Sequence, residues 1–336
     1  MGVKKLLKFL TDYSGIVCET RIGDYKGKKI AIDISLMLYQ IVIGFKNSGS
    51  DMLNEEGKDV SHILGLFNKI IILLTYNILP VFIFDGKPSK LKADVLTARK
   101  KIRENALTKM NDSSESLSEE EKIKHMKKSV FISKNEMDDC RELLTLMGIP
   151  FINAPEEADS QCAYLARMGF VDGVYTDDMD ILTFGSPKII KNLISLKNKP
   201  QEINLNTILD KLNLSYSEFI DFCILLGCDY SNGISNINYQ TIYKFYSENK
   251  NIDDTLMNLK KNNYNVPDKL EYEHIKEYYL NAPFHEIDES DLRFNQLQYD
   301  NLLNLLVNKY GLIKFKIVSK LKKVNHIIKT SQILIK

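Results

Sequence analysis

The sequence has few cysteines and lacks any long apolar run. Its 336 residues include five cysteines, an odd number, with no C-x-x-C spacing among them. A disulfide framework or a zinc site is therefore not expected, and a reducing compartment is the simpler setting. No stretch approaches the ~20 apolar residues of a membrane span. The opening MGVKKL matches neither a secretory signal nor a myristoylation motif, so we expect no membrane attachment.

Net charge is also nearly absent, because 45 Lys and Arg face 44 Asp and Glu. The total conceals local excess. Residues 87–103 contain seven basic residues against one acid, and residues 301–336 contain eight lysines and no acid. Basic faces of this kind suit polyanions such as nucleic acids. A solvated surface explains the lysine-rich tail about as well, but it explains the 87–103 run less easily.

Short apolar runs alternate with helical patterns over the first 200 residues. Buried strands are predicted at 28–35, 80–88, 149–154, 173–176 and 188–193. Helices are predicted at 36–45, 61–76, 155–168 and between a capping box at 133–136 and Gly148. The alternation indicates an α/β fold with a mostly parallel sheet flanked by helices. The polar segment 88–132 is predicted to be a functional insertion, and residues from about 205 onward to be almost wholly helical.

Acidic residues follow the predicted strands where each strand ends. Asp33 and Asp85 end the first two predicted strands, and Glu157 and Asp159 begin the helix after the third. Asp178 and Asp180 follow the fourth strand, and Asp229 follows an apolar helical run. Because the carboxyl ends of parallel strands meet at one edge of a sheet, these side chains are expected to converge. In extended chain, Asp178 and Asp180 would share a face and Asp177 would point away.

Clustered carboxylates require cations, since neighbouring like charges raise each other's pKa. Oxygen ligands without His or Cys select hard ions such as Mg²⁺ or Mn²⁺. Two such ions can activate a water and stabilise the leaving oxygen of a phosphodiester displacement. For any single aspartate a local cap or turn is the better interpretation, but for acids at four successive strand ends it is not.

These residues stand in motifs that resemble the flap endonucleases of the XPG family of structure-specific nucleases. The resemblance runs from Met1 to about Tyr310. It is carried by MGVKKLLKFL, AIDIS, NEEGKDVSHILG, VFIFDGKPSKLK, LLTLMGIPFINAPEEAD, DDMDILTFGSP and CILLGCDY. It implies a PIN-like core, a helical arch at about 88–132 that accommodates a 5′ flap, and a helix–two-turn–helix at about 217–246. The family's seven metal-binding acids fall on the seven residues above.

The resemblance implies further roles that spacing alone does not give. Lys92 and Arg99 correspond to a basic pair that reaches over the scissile phosphate; the alternative for both is a solvated helix face. Tyr39 corresponds to a residue that stacks on the base beside the cut, and NEEGKDVSHILG to a region that holds a short 3′ flap. DNA contacts are implied for Gly2, Tyr39, Lys46, Lys69, Lys92, Arg99, Gly233, Ile234 and Ile237.

Three places depart from the family pattern. Its Gly-Ile-Gly-Pro and following basic pair are replaced by NINYQT at 236–241. The loss of basic residues argues against a strong duplex grip and a potassium ion there, although asparagine tolerates a left-handed backbone. Asp159 stands where glutamate is usual. The tail TSQILIK has no complete clamp-binding motif, so recruitment by a sliding clamp is not expected.

Together these features predict a divalent-metal-dependent nuclease that cuts 5′ flaps in DNA replication and repair, with 5′–3′ exonuclease activity. We expect two Mg²⁺ ions per site, replaceable by Mn²⁺, a candidate K⁺ site at the helix–two-turn–helix, branched DNA as partner, and a monomer. The alternatives are a relative that prefers nicks, gaps or junctions, and a catalytically silent nucleic-acid-binding scaffold. The presence of all seven acids disfavours the scaffold.

The expected organisation is an N-terminal nuclease region at 1–105, an internal nuclease region at 133–250 and a C-terminal helical extension at 251–336. A sequence rich in Lys, Asn and Ile suggests an AT-rich genome, such as that of a virus or parasite. The nucleus is the expected location, with a cytoplasmic replication site as the alternative for a viral protein.

Overall fold

The computed structural model describes residues 2–47, 52–54, 56–112, 118–267 and 269–330. Along these residues, no helix is both long and apolar enough to cross a membrane. The end of the tail, on which the expectation about a sliding clamp depends, lies outside the described residues.

Strands and helices alternate in the first two thirds of the described chain, and helices dominate the rest. The strands are β1 (Val17–Glu19), β2 (Lys29–Asp33), β3 (Leu79–Phe84), β4 (Phe151–Asn153), β5 (Gly173–Tyr175), β6 (Lys188–Lys191) and β7 (Gln201–Asn204). The helices are α1 (Leu6–Thr11), α2 (Ile34–Asn47), α3 (Ser61–Thr75), α4 (Ala93–Asp112), α5 (Glu119–Ser129), α6 (Lys134–Met147), α7 (Ala158–Arg167), α8 (Leu205–Leu212), α9 (Tyr216–Leu226), α10 (Tyr239–Asn249), α11 (Ile252–Lys261), α12 (Glu273–Asn281), α13 (Tyr299–Leu303) and α14 (Lys314–Thr330). The helical character predicted beyond residue 205 is confirmed.

The chain forms two compact units, each assembled from separated segments. The first unit comprises Met1–Asp24, Asp85–Val95 and Ala154–His285, and the second comprises Tyr25–Phe84, Leu96–Asn153 and Glu286–Lys336. The regions expected from the sequence follow chain order instead, and they remain a prediction.

The second unit contains three parallel strands in the order β2-β3-β4. The register places Asp33 opposite Ile83, and Phe84 opposite Asn153. All six residues of β3 are buried, as expected for a parallel strand covered on both faces. Helix α3 packs against α2, α6 and α14 through a row of buried apolar residues. Asp33 therefore ends a rigid strand within a well-packed core.

The first unit contains four strands in the order β1-β7-β6-β5. Strands β5 and β6 are parallel, whereas β7 pairs antiparallel with both β6 and β1. Of the five pairings within the two units three are parallel, which confirms the mostly parallel sheet. Strands β1 and β7 were not predicted, because their sequences VCE and QEIN carry no apolar run.

Two helix starts show where local signals hold and where they fail. Helix α6 follows the predicted capping box of Ser133 and Glu136 and ends at Gly148, whose φ of 69° is left-handed. Helix α7 begins at Ala158, so the predicted start at Pro155 was wrong. The carbonyls of Pro155 and Glu156 accept hydrogen bonds from the backbone of residues 86–87, which holds this stretch outside the helix.

The segment 88–132 forms helices α4 and α5, and its predicted helical character is confirmed. Helix α5 opens with a capping box of Ser118 and Glu121. Most of the described side chains of α4 are exposed, in keeping with the low apolar content of the segment. The passage of a flap past these helices remains a prediction.

Candidate active site

The turn after β5 carries two of the predicted acids, Asp178 and Asp180, in a conformation that differs from the predicted one. The backbone N–H of Asp180 donates to Oδ1 of Asp178 at 3.0 Å, and Asp180 opens a short 3₁₀ turn. The predicted extended chain was therefore wrong, and a tight turn brings the two residues together. Asp177 does point elsewhere, with Oδ1 at 3.0 Å from Nζ of Lys191.

Asp180 is a buried carboxylate in an unfavourable setting. Its residue is 2% exposed, and within the described residues its buried Oδ1 has no hydrogen-bond partner. Burial, followed by the neighbouring charges of Asp178 and Asp229, raises the pKa of Asp180 well above its ordinary value. Burial likewise raises the pKa of Asp178. Such a pair is stabilised by a cation.

Gly2 lies directly against these two aspartates. Its φ of +79° is left-handed, and a Cβ at this position would overlap Oδ1 of Asp178 and lie 2.8 Å from the backbone nitrogen of Asp180. Only glycine fits this position without displacing the turn. The DNA contact that the resemblance implied for Gly2 remains a prediction.

Glu157 is the N-cap residue of α7, and its buried carboxylate is surrounded by donors. Nζ of Lys92 lies 2.5 Å from its Oε2, and the phenols of Tyr230 and Tyr278 lie 2.7 and 3.4 Å from its Oε1. Lys92 also lies 3.6 Å from Oδ2 of Asp229. Burial alone would lower the pKa of Lys92, but Glu157 and its acidic neighbours raise it above its ordinary value. Lys92 is therefore a charged, partly buried residue rather than part of a solvated helix face.

Two further acids belong to the same unit. Oδ1 of Asp85, directly after β3, accepts the backbone N–H of Ala158 at 2.9 Å and so caps α7 across a long stretch of sequence. Asp159 lies in the first turn of α7, and its charge contributes to the raised pKa of Lys92. The first unit thus contains six of the seven predicted acids. Five of them interact electrostatically with Lys92, namely Glu157, Asp159, Asp178, Asp180 and Asp229.

The remaining predicted acid, Asp33, lies in the second unit. Its Oδ1 accepts the backbone N–H groups of Ser35 and Leu36 at 2.8 and 3.3 Å, which caps the start of α2. Tyr39 follows on α2; burial raises its pKa, while the nearby charges of Arg103 and Arg99 act in the opposite direction. The structure therefore brings Tyr39 within electrostatic reach of Arg99, which is itself exposed on α4.

Two predicted DNA-binding lysines also lie in the second unit. Lys46 is in the last turn of α2, and Lys69 is on α3, where burial lowers its pKa. The positions of these two lysines do not show whether either contacts DNA, and both contacts remain predictions.

Helices α9 and α10 and the chain between them form the predicted helix–turn–helix element. Gly233 has a φ of +62° and packs against the backbone of Gly227. Ile234 and Ile237 are buried, so their side chains belong to the core of the element. Asn236 adopts a left-handed φ of 66°, which confirms that asparagine can replace the family's glycine in this turn.

Two tyrosines near the acids were missed as functional candidates. Tyr230 follows Asp229 directly in the motif CILLGCDY, so its position beside a candidate ligand was an available signal. Tyr278 lies on α12, where the sequence shows no motif that distinguishes it. Only the fold brings Tyr278 to Glu157.

The donors fit a hard cation, although they are not arranged as a ready binding site. Within the described ranges, no three His, Cys, Asp or Glu side chains form a group that could hold a metal ion. The ammonium group of Lys92 already supplies positive charge beside Glu157 and Asp229. The unpartnered Oδ1 of Asp180 and the all-oxygen donor set match the preferences of Mg²⁺ and Mn²⁺. The assignment of seven metal-binding residues remains a prediction.

Comparison with known proteins agrees with this geometry. The XPG N-terminal domain model matches residues 1–106, and the XPG I-region model matches residues 148–229. Flap endonuclease 1 of Glycine max is 37% identical over 331 residues, covering 96% of this chain and 86% of the relative. The flap endonuclease-1 structure from Methanococcus jannaschii matches with a TM-score of 0.73 at 29% identity, covering 96% of this chain and 99% of the other.

A third comparison concerns the fold. The catalytic core of Rad2 in complex with a DNA substrate matches with a TM-score of 0.74 at 24% identity, covering 96% of this chain and all of the other. The resemblance inferred from the motifs is confirmed over nearly the full length, and the predicted α/β nuclease fold with it. The chain belongs to the XPG family of structure-specific nucleases, and within it to the flap endonucleases, enzymes that cut 5′ flaps.

Proposed function

We propose that this nuclease hydrolyses the phosphodiester at a 5′-flap junction with two Mg²⁺ ions, which Mn²⁺ can replace. The proposed ligands are Asp33, Asp85, Glu157, Asp159, Asp178, Asp180 and Asp229. The observation that carries the proposal is Asp180, a buried carboxylate with an unpartnered oxygen and two acidic neighbours. A protein retains so costly an arrangement where a cation is to be bound.

The chain's own residues prepare this chemistry. When bound, the metal ions would supply an activated water and stabilise the leaving oxygen. Asp178 and Asp180 are fixed by their shared turn, and Glu157 by its donors Lys92 and Tyr230. Lys92, held among the acids, is placed to neutralise charge on the scissile phosphate once it is released from them.

Recognition of DNA is proposed to use basic and aromatic groups of the second unit. Arg99 carries an exposed charge at the start of the arch, and Tyr39 lies in its electrostatic reach. Rad2, whose catalytic core shares this fold, was solved with a DNA substrate. Since phosphate contacts supply most of the affinity for DNA, binding should depend strongly on salt.

Several finer features are proposed on the strength of the family alone. They are 5′–3′ exonuclease activity, a role in replication and repair, a location in the nucleus, and action as a monomer on branched DNA. The left-handed Asn236 preserves the turn at which a K⁺ ion could bind, but the missing basic pair predicts a weak grip on the duplex.

A labelled 5′-flap duplex tests the proposal. We expect cleavage with Mg²⁺ and none with EDTA. Asp180→Ala should abolish cleavage while leaving flap binding largely intact, because phosphate contacts rather than metals supply most affinity. Asp177→Ala is the matched control, since Asp177 is three residues away and pairs with Lys191 instead. Normal turnover by Asp180→Ala would refute the assignment of the site.

A further inference from the structure

The buried carboxylate of Glu157 has partners on both of its oxygens. Its two oxygens have different partners: Lys92 lies at Oε2, and two phenols lie at Oε1. Lys92 reaches toward Asp229 as well, so Oε2 faces the centre of the acidic group. The phenols approach Oε1 instead, and Oε2 is left to Lys92.

The second phenol reaches the site from a distant part of the chain. Tyr278 lies on α12, beyond both stretches that match the family models. Its hydroxyl donates to Oε2 of Glu156 at 2.8 Å and lies 3.4 Å from Oε1 of Glu157. A phenol has one proton, so the shorter contact holds Glu156 while the oxygen spans both carboxylates. Tyr230 is then the principal donor to Glu157, at 2.7 Å.

The two rings are held firmly by aromatic contacts. Tyr230 packs edge-to-face against both Tyr278 and Tyr279, with ring centroids 5.3 Å apart in each case. Phe184 packs edge-to-face against Tyr278 and Tyr279 at 6.0 and 5.1 Å. Edge-to-face packing of this kind fixes ring orientation and contributes beyond buried area. The phenols are therefore presented to Glu157 on a rigid support.

We propose that Tyr230 is a positioning residue that holds Oε1 of Glu157 so that Oε2 stays directed at the cation site, and that Tyr278 supports it by packing on the Tyr230 ring and holding Glu156. The inference rests on the proposed function of Glu157 as a metal-binding residue. Groups that fix a ligand's orientation govern metal affinity even though they do not touch the metal. The C-terminal helical region thus contributes to the site through α12.

A phenol is protonated at neutral pH and can donate one hydrogen bond to a carboxylate. Substitution by phenylalanine removes the donor and preserves the ring, which separates positioning from packing.

The test measures Mn²⁺ binding to the whole chain without DNA, by calorimetry or electron paramagnetic resonance. Tyr230→Phe should raise the dissociation constant about 10-fold or more, the range found for groups that orient metal ligands. Tyr278→Phe should raise it by a smaller factor, because its closer contact is with Glu156. The Mn²⁺ concentration for half-maximal cleavage should rise by the same factors, whereas flap binding in EDTA should not change.

Tyr272→Phe is the matched control, because Tyr272 precedes α12 and its phenol donates to Asp253 at 3.1 Å. Its Mn²⁺ affinity should equal that of the wild type. In a Glu157→Gln background, neither tyrosine substitution should weaken Mn²⁺ binding further. Both substitutions act through Glu157, so their effects on binding are coupled to its loss and do not add to it.

The outcomes separate the two proposals. If Glu157→Gln weakens Mn²⁺ binding and both Phe variants bind as the wild type does, the positioning role is wrong and the metal site stands. If Glu157→Gln itself binds Mn²⁺ normally, the proposed function of Glu157 fails first. If the Phe variants bind flaps more weakly in EDTA and melt at a lower temperature while their Mn²⁺ affinity is unchanged, the tyrosines have only a structural role. That result would overturn the inference.

Discussion

Glu157 and Asp180 are both buried acids of the first unit, but their surroundings are opposite. Glu157 is 5% exposed and has a donor on each of its two oxygens, Lys92 on Oε2 and Tyr230 on Oε1. Asp180 is 2% exposed and has an oxygen with no hydrogen-bond partner in the described part of the chain, and the charges of three other carboxylates raise its pKa. The fold therefore stabilises one carboxylate and strains the other.

The difference shows two ways of preparing a cation site. A partnered carboxylate such as Glu157 is oriented in advance and adds to stability by itself. An unpartnered one such as Asp180 lowers stability until positive charge arrives, which strengthens the attraction for a cation. Lys92 lies 2.5 Å from Glu157, and its charge favours the ionised form of Asp180 as well. Substitutions at these three residues can break or sharpen the contrast.

The largest effect is expected from Asp180→Asn. The variant should cleave flaps more than about 100-fold more slowly, since even groups behind a metal ligand cost 10- to 100-fold when lost. It should also be more stable than the wild type in EDTA, by about 1–2 kcal/mol, because a buried repulsive charge is removed. Single-turnover cleavage and urea unfolding measure the two changes. A variant that is both inactive and less stable would contradict the description of Asp180 as strained.

Lys92→Ala should come next, because it removes the cation from the partnered carboxylate. We expect a single-turnover rate about 100-fold lower, the loss typical when a group that stabilises charge in the transition state is removed. The melting temperature in EDTA should also fall, since Glu157 loses its ion pair. Arg99→Ala is the comparison, because Arg99 is exposed and should lose rate with little change in melting temperature. Rates within twofold of the wild type for both variants would refute the role of this basic pair.

The sequence predicted the residue types of the site better than their conformations. Strand ends placed Asp33 and Asp85 correctly, because buried apolar runs are unambiguous. The turn at Asp178 and Asp180 could not be foreseen, since its geometry depends on side-chain hydrogen bonds to the backbone. Tyr278 could not be foreseen either, because only tertiary packing brings α12 to Glu157.

Glu157→Gln should have the opposite effect on stability from Asp180→Asn. Replacing the carboxylate by an amide weakens the contacts to Lys92 and Tyr230, and hydrogen bonds to charged groups contribute about 1.5–3 kcal/mol each. We expect a stability loss of about 2 kcal/mol in EDTA, measured by urea unfolding. Asp177→Asn serves as the control for an acid paired with a single lysine outside the cluster. If the Glu157 and Asp180 variants both gained stability or both lost it, the contrast between the two carboxylates would be wrong.

The smallest effect is a difference in the pH dependence of stability. Burial and like charge raise the pKa of Asp180 above 3.8 in the folded state, and burial raises that of Asp178. The folded state then binds more protons than the unfolded state between pH 3.8 and the raised value. This contribution to stability is therefore fully present below about pH 3.8 and is lost as pH rises through the raised folded pKa.

Urea unfolding in EDTA from pH 4.5 to 8 should consequently show the wild type losing stability relative to Asp180→Asn. The expected difference is about 1 kcal/mol or more, since one pKa unit corresponds to 1.36 kcal/mol. Burial lowers the pKa of His62, which makes stability fall toward acid pH. This effect is the same in both proteins, so it cancels in the difference between their stabilities. Saturating Mg²⁺ should reduce the difference, because bound cations keep the carboxylates ionised at little cost. Parallel pH profiles in EDTA would mean that Asp180 is not strained, and that its partners in the folded state remove the need for a cation.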